Sequence, residues 1–148
     1  LDDFLAAMRA RDVDPGRGFT QRRIAADGMG ELGLRAGVSA LSTALTAERT
    51  QFEGRPGAGL GIQYPVRANI LRALGEIADV SAVPVLLPYL DDVSGSAFGG
   101  FYLPAMDALV KIGLPAVPAI RRWGVAASPL GRTNAAGVLS ALESPEFR

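Results

Sequence analysis

Apolar residues recur at helical spacing through the middle of the chain. One face of a 3.6-residue helix collects Val66, Ile70, Leu74 and Ile77, and a second stripe of the same kind collects Val83, Leu86, Leu87 and Leu90. The spacing predicts two amphipathic helices separated by a short polar break at 79–81, with Ser81 capping the second helix. Pro88 lies beyond the first turn of that helix. We expect it to kink the helix or tighten its last turn, because proline removes a backbone hydrogen bond.

The two-helix pattern occurs a second time about 35 residues further along the chain. Ala73, Leu74 and Ile77 recur as Ala108, Leu109 and Ile112, and Ala82-Val83-Pro84 recurs as Ala116-Val117-Pro118. Such a period predicts helix pairs that stack, because one pair cannot bury its apolar face alone. In the second copy Arg121 replaces Leu87 and Gly124 replaces Leu90. These two changes predict a shorter and less buried second helix.

The paired helices resemble the HEAT-like repeats of the phycobilisome lyase type over residues 64–124. The motifs that carry the resemblance are Val66-Arg67, Ala73-Leu74-Gly75-Glu76-Ile77, Ala82-Val83-Pro84 and Leu90-Asp91-Asp92 in the first copy, and Ala108-Leu109, Ile112-Gly113 and Pro115-Ala116-Val117-Pro118 in the second. The resemblance implies an α-α superhelix whose second helices line the concave face. It also implies a binding scaffold, since most such proteins are scaffolds and some are similar to bilin lyases. The repeat motif implies no catalytic residue.

Helical patterns continue on the N-terminal side of the repeats. They predict a helix at about 2–11 and a second helix that Thr20 caps and that runs through Ala26. A third helix, over 31–52, is predicted to be the longest. Gly33 and Gly37 are either a packing notch within that helix or a sign that it starts later.

The elements together predict one all-α domain, a HEAT-like solenoid with about seven helices and no sheet. Its parts are an N-terminal helical cap at 1–53, repeat 1 at 64–92, repeat 2 at 101–124 and a partial repeat 3 at 128–144. The last part opens with Ser128-Pro129 as cap and first turn, and acts as the closing helix.

Composition excludes several classes of function. Fifteen basic and fifteen acidic residues cancel, so no global field favours nucleic acid. The chain contains no cysteine and no histidine, which excludes a thiolate zinc site, a cysteine nucleophile and a histidine base. No apolar run approaches the ~20 residues of a membrane span. We interpret the start at Leu1 as a trimmed or processed end, which leaves the compartment open.

Acidic and glycine-rich stretches have ordinary structural explanations. The carboxylates of Asp91 and Asp92 diverge by about 100° on a helix and are expected at a solvated helix end. Asp12-Val13-Asp14 lacks the further ligands of a calcium loop, and the glycines of 57–61 lack the strand and lysine of a phosphate loop. The sequence therefore predicts no catalytic residue, no metal ligand and no cofactor.

Aromatic and arginine side chains form the candidate partner surface. Tyr89 and Trp123 occupy the same position in consecutive repeats. The resemblance to HEAT-like repeats would place them as neighbouring residues of the concave face, where we expect both rings to be exposed. Arg121 and Arg122 lie next to Trp123 in the sequence, and arginine and aromatic residues dominate binding hot spots. The alternative is that both rings only cover the edge of the solenoid.

The loop between the repeats adds three more aromatic residues, Phe98, Phe101 and Tyr102. They either fill the core between repeats or face a ligand. The favoured function is a non-catalytic scaffold that binds a protein or peptide. The alternative is a tetrapyrrole-like small-molecule site, of lyase or chaperone type, in the loop 93–102. The incomplete C-terminal repeat is a further candidate surface for association.

Overall fold

A computed structural model describes residues 1–9, 17–52, 63–93 and 100–144 of the 148-residue chain. These residues contain helices and turns without a strand, which confirms the all-α prediction. The eight α-helices are α1 Asp2–Arg9, α2 Arg17–Glu31, α3 Val38–Phe52, α4 Gln63–Ile77, α5 Val83–Leu86, α6 Tyr102–Ile112, α7 Val117–Ala126 and α8 Pro129–Glu143. Short 3₁₀ helices occupy Arg35–Gly37, Val80–Ala82, Leu87–Asp91 and Leu114–Ala116.

The helices form two layers. Helices α2, α4, α6 and α8 pack side by side in chain order and make the first-helix layer. Helices α3, α5 with the 3₁₀ helix 87–91, and α7 make the second-helix layer. Each second helix also packs on the first helix of the following pair, α3 on α4, the 3₁₀ helix 87–91 on α6, and α7 on α8. Stacking of this kind is the arrangement that the repeat predicts.

The turn inside each pair has the same order of elements. A residue in the left-handed region ends the first helix, with φ of 59° at Gly33, 54° at Ala78 and 87° at Gly113. A 3₁₀ turn follows each of them and leads into the second helix. The segment 17–52 therefore has the same helix, 3₁₀ turn and helix as the two recognised repeats.

This turn decides between the two interpretations of Gly33 and Gly37. Gly33 lies outside any helix, and a Cβ added to it would meet no atom within 4 Å, so it is not a packing notch. Gly37 lies in the 3₁₀ turn and is closely packed, since a Cβ added to it would lie 2.7 Å from the Sδ of Met29. The helix starts later, at Val38, and its 15 residues equal those of α2, α4 and α8. The prediction that it is the longest helix was wrong, because the 3₁₀ turn occupies the residues that precede it.

Close approach of the first helices depends on glycine. A Cβ on Gly30 would lie 2.8 Å from the Cα of Ala73, and one on Gly75 would lie 2.7 Å from the Cα of Ala108. Gly30 and Gly75 thus perform the same function at successive α2–α4 and α4–α6 contacts. Small residues at such positions let two helix backbones pack closely.

Second helices differ between the repeats because of one proline. After Pro88 the chain tightens into the 3₁₀ helix Leu87–Asp91, so α5 has only 4 residues. Arg122 lies at the equivalent position of α7. Because Arg122 has a backbone N–H that proline lacks, α7 continues as an α-helix for 10 residues. The prediction of a shorter helix in the second copy was therefore wrong. Its lower burial is confirmed, since Ile120 is the buried residue of α7.

Helix ends match the sequence predictions in part. Ser128 caps α8 by accepting a hydrogen bond from the N–H of Gly131 at 3.1 Å, as predicted. Asp79, rather than Ser81, caps the turn after α4, because its carboxylate accepts from the Ser81 N–H. Thr20 is not a cap, since α2 already begins at Arg17. The acidic stretch Asp12-Val13-Asp14 and the glycines of 57–61 lie outside the described residues.

Candidate functional site

Tyr89 lies in the core and not on an exposed face. Its side chain is only 2% exposed, and its hydroxyl donates a hydrogen bond to the carbonyl of Leu45 on α3 at 3.3 Å. Its ring meets that of Phe101 edge to face, with the centroids 6.1 Å apart. The expectation that Tyr89 is an exposed part of the partner surface was wrong. The physical reason is the 3₁₀ helix, which turns successive side chains by more than an α-helix does.

Phe101 is buried as well, at 1% exposure. Its ring lies under the guanidinium of Arg67, whose Cζ is 5.2 Å from the ring centroid, a cation–π contact. Of the two interpretations of the loop aromatics, the core interpretation therefore applies to Phe101. Tyr102 is half-buried at the start of α6, with its ring over Gly100, and Phe98 lies outside the described residues.

A buried charged cluster surrounds these aromatic rings, and the sequence analysis did not find it. Arg22, Glu48 and Arg67 are 8%, 5% and 4% exposed. The Nε of Arg22 lies 2.9 Å from a carboxylate oxygen of Glu48, and Arg67 donates to the Glu48 carbonyl at 2.9 Å. The cluster joins α2, α3 and α4, since each helix supplies one member. Buried charges need such partners, because leaving a charge alone in the interior is costly.

Trp123 is half-buried on α7 and packs against α8. A Cβ on Gly131 would lie 2.8 Å from Cη2 of the Trp123 ring and 2.7 Å from the carboxyl carbon of Asp91. The ring and the carboxylate therefore meet over the glycine. Asp91 also accepts a hydrogen bond from the Ser128 hydroxyl, so it contacts the start of α8 and is not a solvated helix end.

Arginine side chains of α7 are exposed. Arg121 donates to the carboxylate of Glu143 on α8, and the side chain of Arg121 is 62% exposed. Arg122 is exposed with no ion pair to another residue of the described chain. Val125, one turn further along the same helix, is 81% exposed. Of the predicted site residues, the structure brings Arg121, Arg122 and part of Trp123 to one helix surface.

The described residues hold no group of three acidic, histidine or cysteine side chains placed to bind a metal ion. Among the described residues, one shallow groove of about 440 Å³ lies between α1 and α2, and another of about 540 Å³ lies at the ends of α2, α4 and α6. Neither is lined by a predicted site residue. The hydroxyl and then the N–H of Ser81 hold the pKa of Asp79 below its usual value, which fits a capping role.

A family model described as PBS lyase HEAT-like repeat matches residues 66–92. The matched segment holds most of α4, all of α5 and the 3₁₀ helix 87–91, which is the first predicted repeat. The resemblance stated from the sequence is thereby confirmed for this repeat, and the described chain has the all-α, helical-repeat character that the resemblance implies. No curated protein sequence matches the chain significantly.

None of the described helices is by itself both long and apolar enough to cross a bilayer. Helix α6 and the following stretch Leu114–Ala126 reach that length and composition only together, and they are bent by 111° at their junction.

Proposed function

We propose that this protein is a non-catalytic scaffold that binds another protein or a peptide through the surface of α7. The proposal is carried by one observation, the exposure of an apolar and arginine-containing surface on a helix whose opposite side is packed on α8. Isolated apolar residues on a surface are ordinary, but an apolar residue beside arginines on a rigid helix has the composition of a binding surface.

The ionic groups of the described residues support a scaffold over an enzyme. Catalysis needs groups that converge on one reacting atom. Here the ion pairs Arg72–Asp27, Lys111–Asp107 and Arg121–Glu143 each join two helices or two turns of one helix. Two of these pairs join neighbouring helices and the third spans one turn of α6, so each is accounted for as a structural contact. The small-molecule alternative is not favoured, because Phe101 fills the core.

Selection from a displayed library of random peptides tests this function. The folded chain is immobilised, and the peptides that an excess of soluble chain releases from it are sequenced and titrated. We expect saturable binding with one site per chain and a Kd of about 1–100 μM, the range of a small exposed interface. The same titration with Lys111→Glu is the matched control, because Lys111 lies on α6 in the first-helix layer. If no peptide is enriched above a blank surface, or if binding is equally strong to the urea-unfolded chain, the scaffold proposal is wrong.

A further inference from the structure

The outward side of α7 carries four residues at the spacing of one helical stripe. Pro118, Arg121, Arg122 and Val125 follow the pattern i, i+3, i+4 and i+7, and all four are exposed. Pro118 and Val125 are seven residues apart, which is about 10.5 Å along the helix axis. We call these four residues the α7 stripe. It has an apolar group at each end and positive charge between them.

The charge of the α7 stripe is of one sign. The sequence of α7, VPAIRRWGVA, contains no acidic residue. Glu143 of α8 already pairs with Arg121, so it offsets one of the two charges. Arg122 has no such partner within the described chain. A surface of this composition is complementary to carboxylates with apolar residues on either side.

The other side of α7 is fixed. Ile120 is fully buried, and the Trp123 ring packs against Gly131 of α8. The stripe is therefore presented by a helix that is held in place, so little ordering of this surface is needed when a partner binds. Stacked helices are also how this fold buries apolar groups, as α8 does on the inner side of α7.

We infer that the α7 stripe binds an acidic amphipathic helix of another protein. On the partner helix, two apolar side chains seven residues apart contact Pro118 and Val125. Carboxylates three and four residues after the first apolar side chain pair with Arg121 and Arg122. Both helices have the same rise per residue, so the two sets of positions coincide along one packed contact. The inference rests on the proposed function and adds the chemical class of the partner and its place on the scaffold.

Two designed peptides test the inference. Each is a helical segment of about 15 residues with leucine at i and i+7, and the pair differs only in having glutamate or lysine at i+3 and i+4. Binding is followed by the emission of Trp123, the only tryptophan of the chain, which lies next to Arg122. We expect the glutamate peptide to bind about tenfold or more tightly than the lysine peptide at low salt. The difference in affinity between the two peptides should shrink as ionic strength rises from about 0.01 M to about 1 M, because the screening length at about 1 M is only roughly 3 Å.

Charge reversal supplies the decisive comparison. Arg122→Glu should invert the preference toward the lysine peptide, Arg122→Gln should reduce the difference between the peptides, and Lys111→Glu should leave it unchanged. Far-ultraviolet circular dichroism and the thermal midpoint of each variant show that it is folded.

The inference is overturned if Arg122→Glu keeps the wild-type preference, if Lys111→Glu alters it equally, or if the glutamate peptide does not bind. The scaffold proposal is judged separately by the random library. Library peptides that bind but are insensitive to Arg122→Glu would leave the scaffold standing and remove the α7 stripe as its site.

Discussion

Ala78 occupies a position where the other two pairs have glycine, and replacing it with glycine should stabilise the protein. Its φ of 54° is left-handed, as at Gly33 and Gly113, and it is the one non-glycine residue with positive φ in the described chain. Its N–H still donates to the Leu74 carbonyl at 3.2 Å, so the turn is formed despite the Cβ. An L-residue in this conformation costs roughly 1–2 kcal/mol because Cβ approaches the following carbonyl.

The expected gain is smaller than this strain. Glycine makes the unfolded chain more flexible, which costs about 0.4–1 kcal/mol of stability. The difference predicts that Ala78→Gly raises the free energy of unfolding by about 0.5–1 kcal/mol. For a chain of this length that corresponds to a rise in Tm of roughly 1–4 °C. Ala78 is exposed, so removing its methyl group leaves no cavity to offset the gain.

Chemical and thermal unfolding of matched variants measure the effect. Gly33→Ala is the reverse change in the first pair, where the added Cβ meets no atom within 4 Å. It should destabilise by about 0.5–1 kcal/mol, because the strain of about 1–2 kcal/mol is partly offset by the less flexible unfolded chain. Gly113→Ala should cost more, about 1–3 kcal/mol, because its φ of 87° and ψ of −156° are adopted almost only by glycine. A neutral or destabilising Ala78→Gly alongside a destabilising Gly33→Ala would refute the view that strain at this turn is shared by the repeats.

Three further predictions concern packing and capping. Gly75→Ala should destabilise by about 1–3 kcal/mol in urea unfolding because its Cβ would press on the α6 backbone. At Gly137 an added Cβ would lie 3.2 Å from the flexible end of Met106, so Gly137→Ala should be neutral or stabilise by up to about 1 kcal/mol. Equal losses of stability for Gly75→Ala and Gly137→Ala would contradict close packing at Gly75. Tyr89→Ala should lower the free energy of unfolding by about 3–5 kcal/mol, and Tyr89→Phe by about 0.5–1.5 kcal/mol. An unchanged Tm for Tyr89→Ala would contradict the burial of the ring. Asp79 has a lowered pKa in the folded state, so its carboxylate stabilises the fold above its unfolded pKa near 3.8, and this contribution is lost as pH falls through the folded value. Wild type should therefore lose more stability than Asp79→Asn between about pH 6 and about pH 3, and parallel pH curves would exclude the cap.

The positions of most helices and turns could be predicted from local sequence patterns. Periodicity of apolar residues, a cap at Ser128 and the proline at position 88 each act within one or two turns of backbone. They predicted helices at α1, α4, α6 and α8, the tightened turn after Pro88 and the stacking of similar pairs. The helix pair at 17–52 was predicted only as part of an N-terminal cap, because its sequence shares few residues with the repeats, although it has the same order of helix, 3₁₀ turn and helix.

Side-chain environment was decided by tertiary structure. Glu48 is only 5% exposed, because Arg22 of α2 and Arg67 of α4 reach it from neighbouring helices. Tyr89 and Trp123 hold equivalent positions in the repeat but different environments, because one lies in a 3₁₀ helix under Phe101 and the other in an α-helix against Gly131. Local spacing specifies which residues share a helix face. Which faces are then covered, and by what, depends on contacts between residues far apart in the chain, which no single stretch of sequence contains.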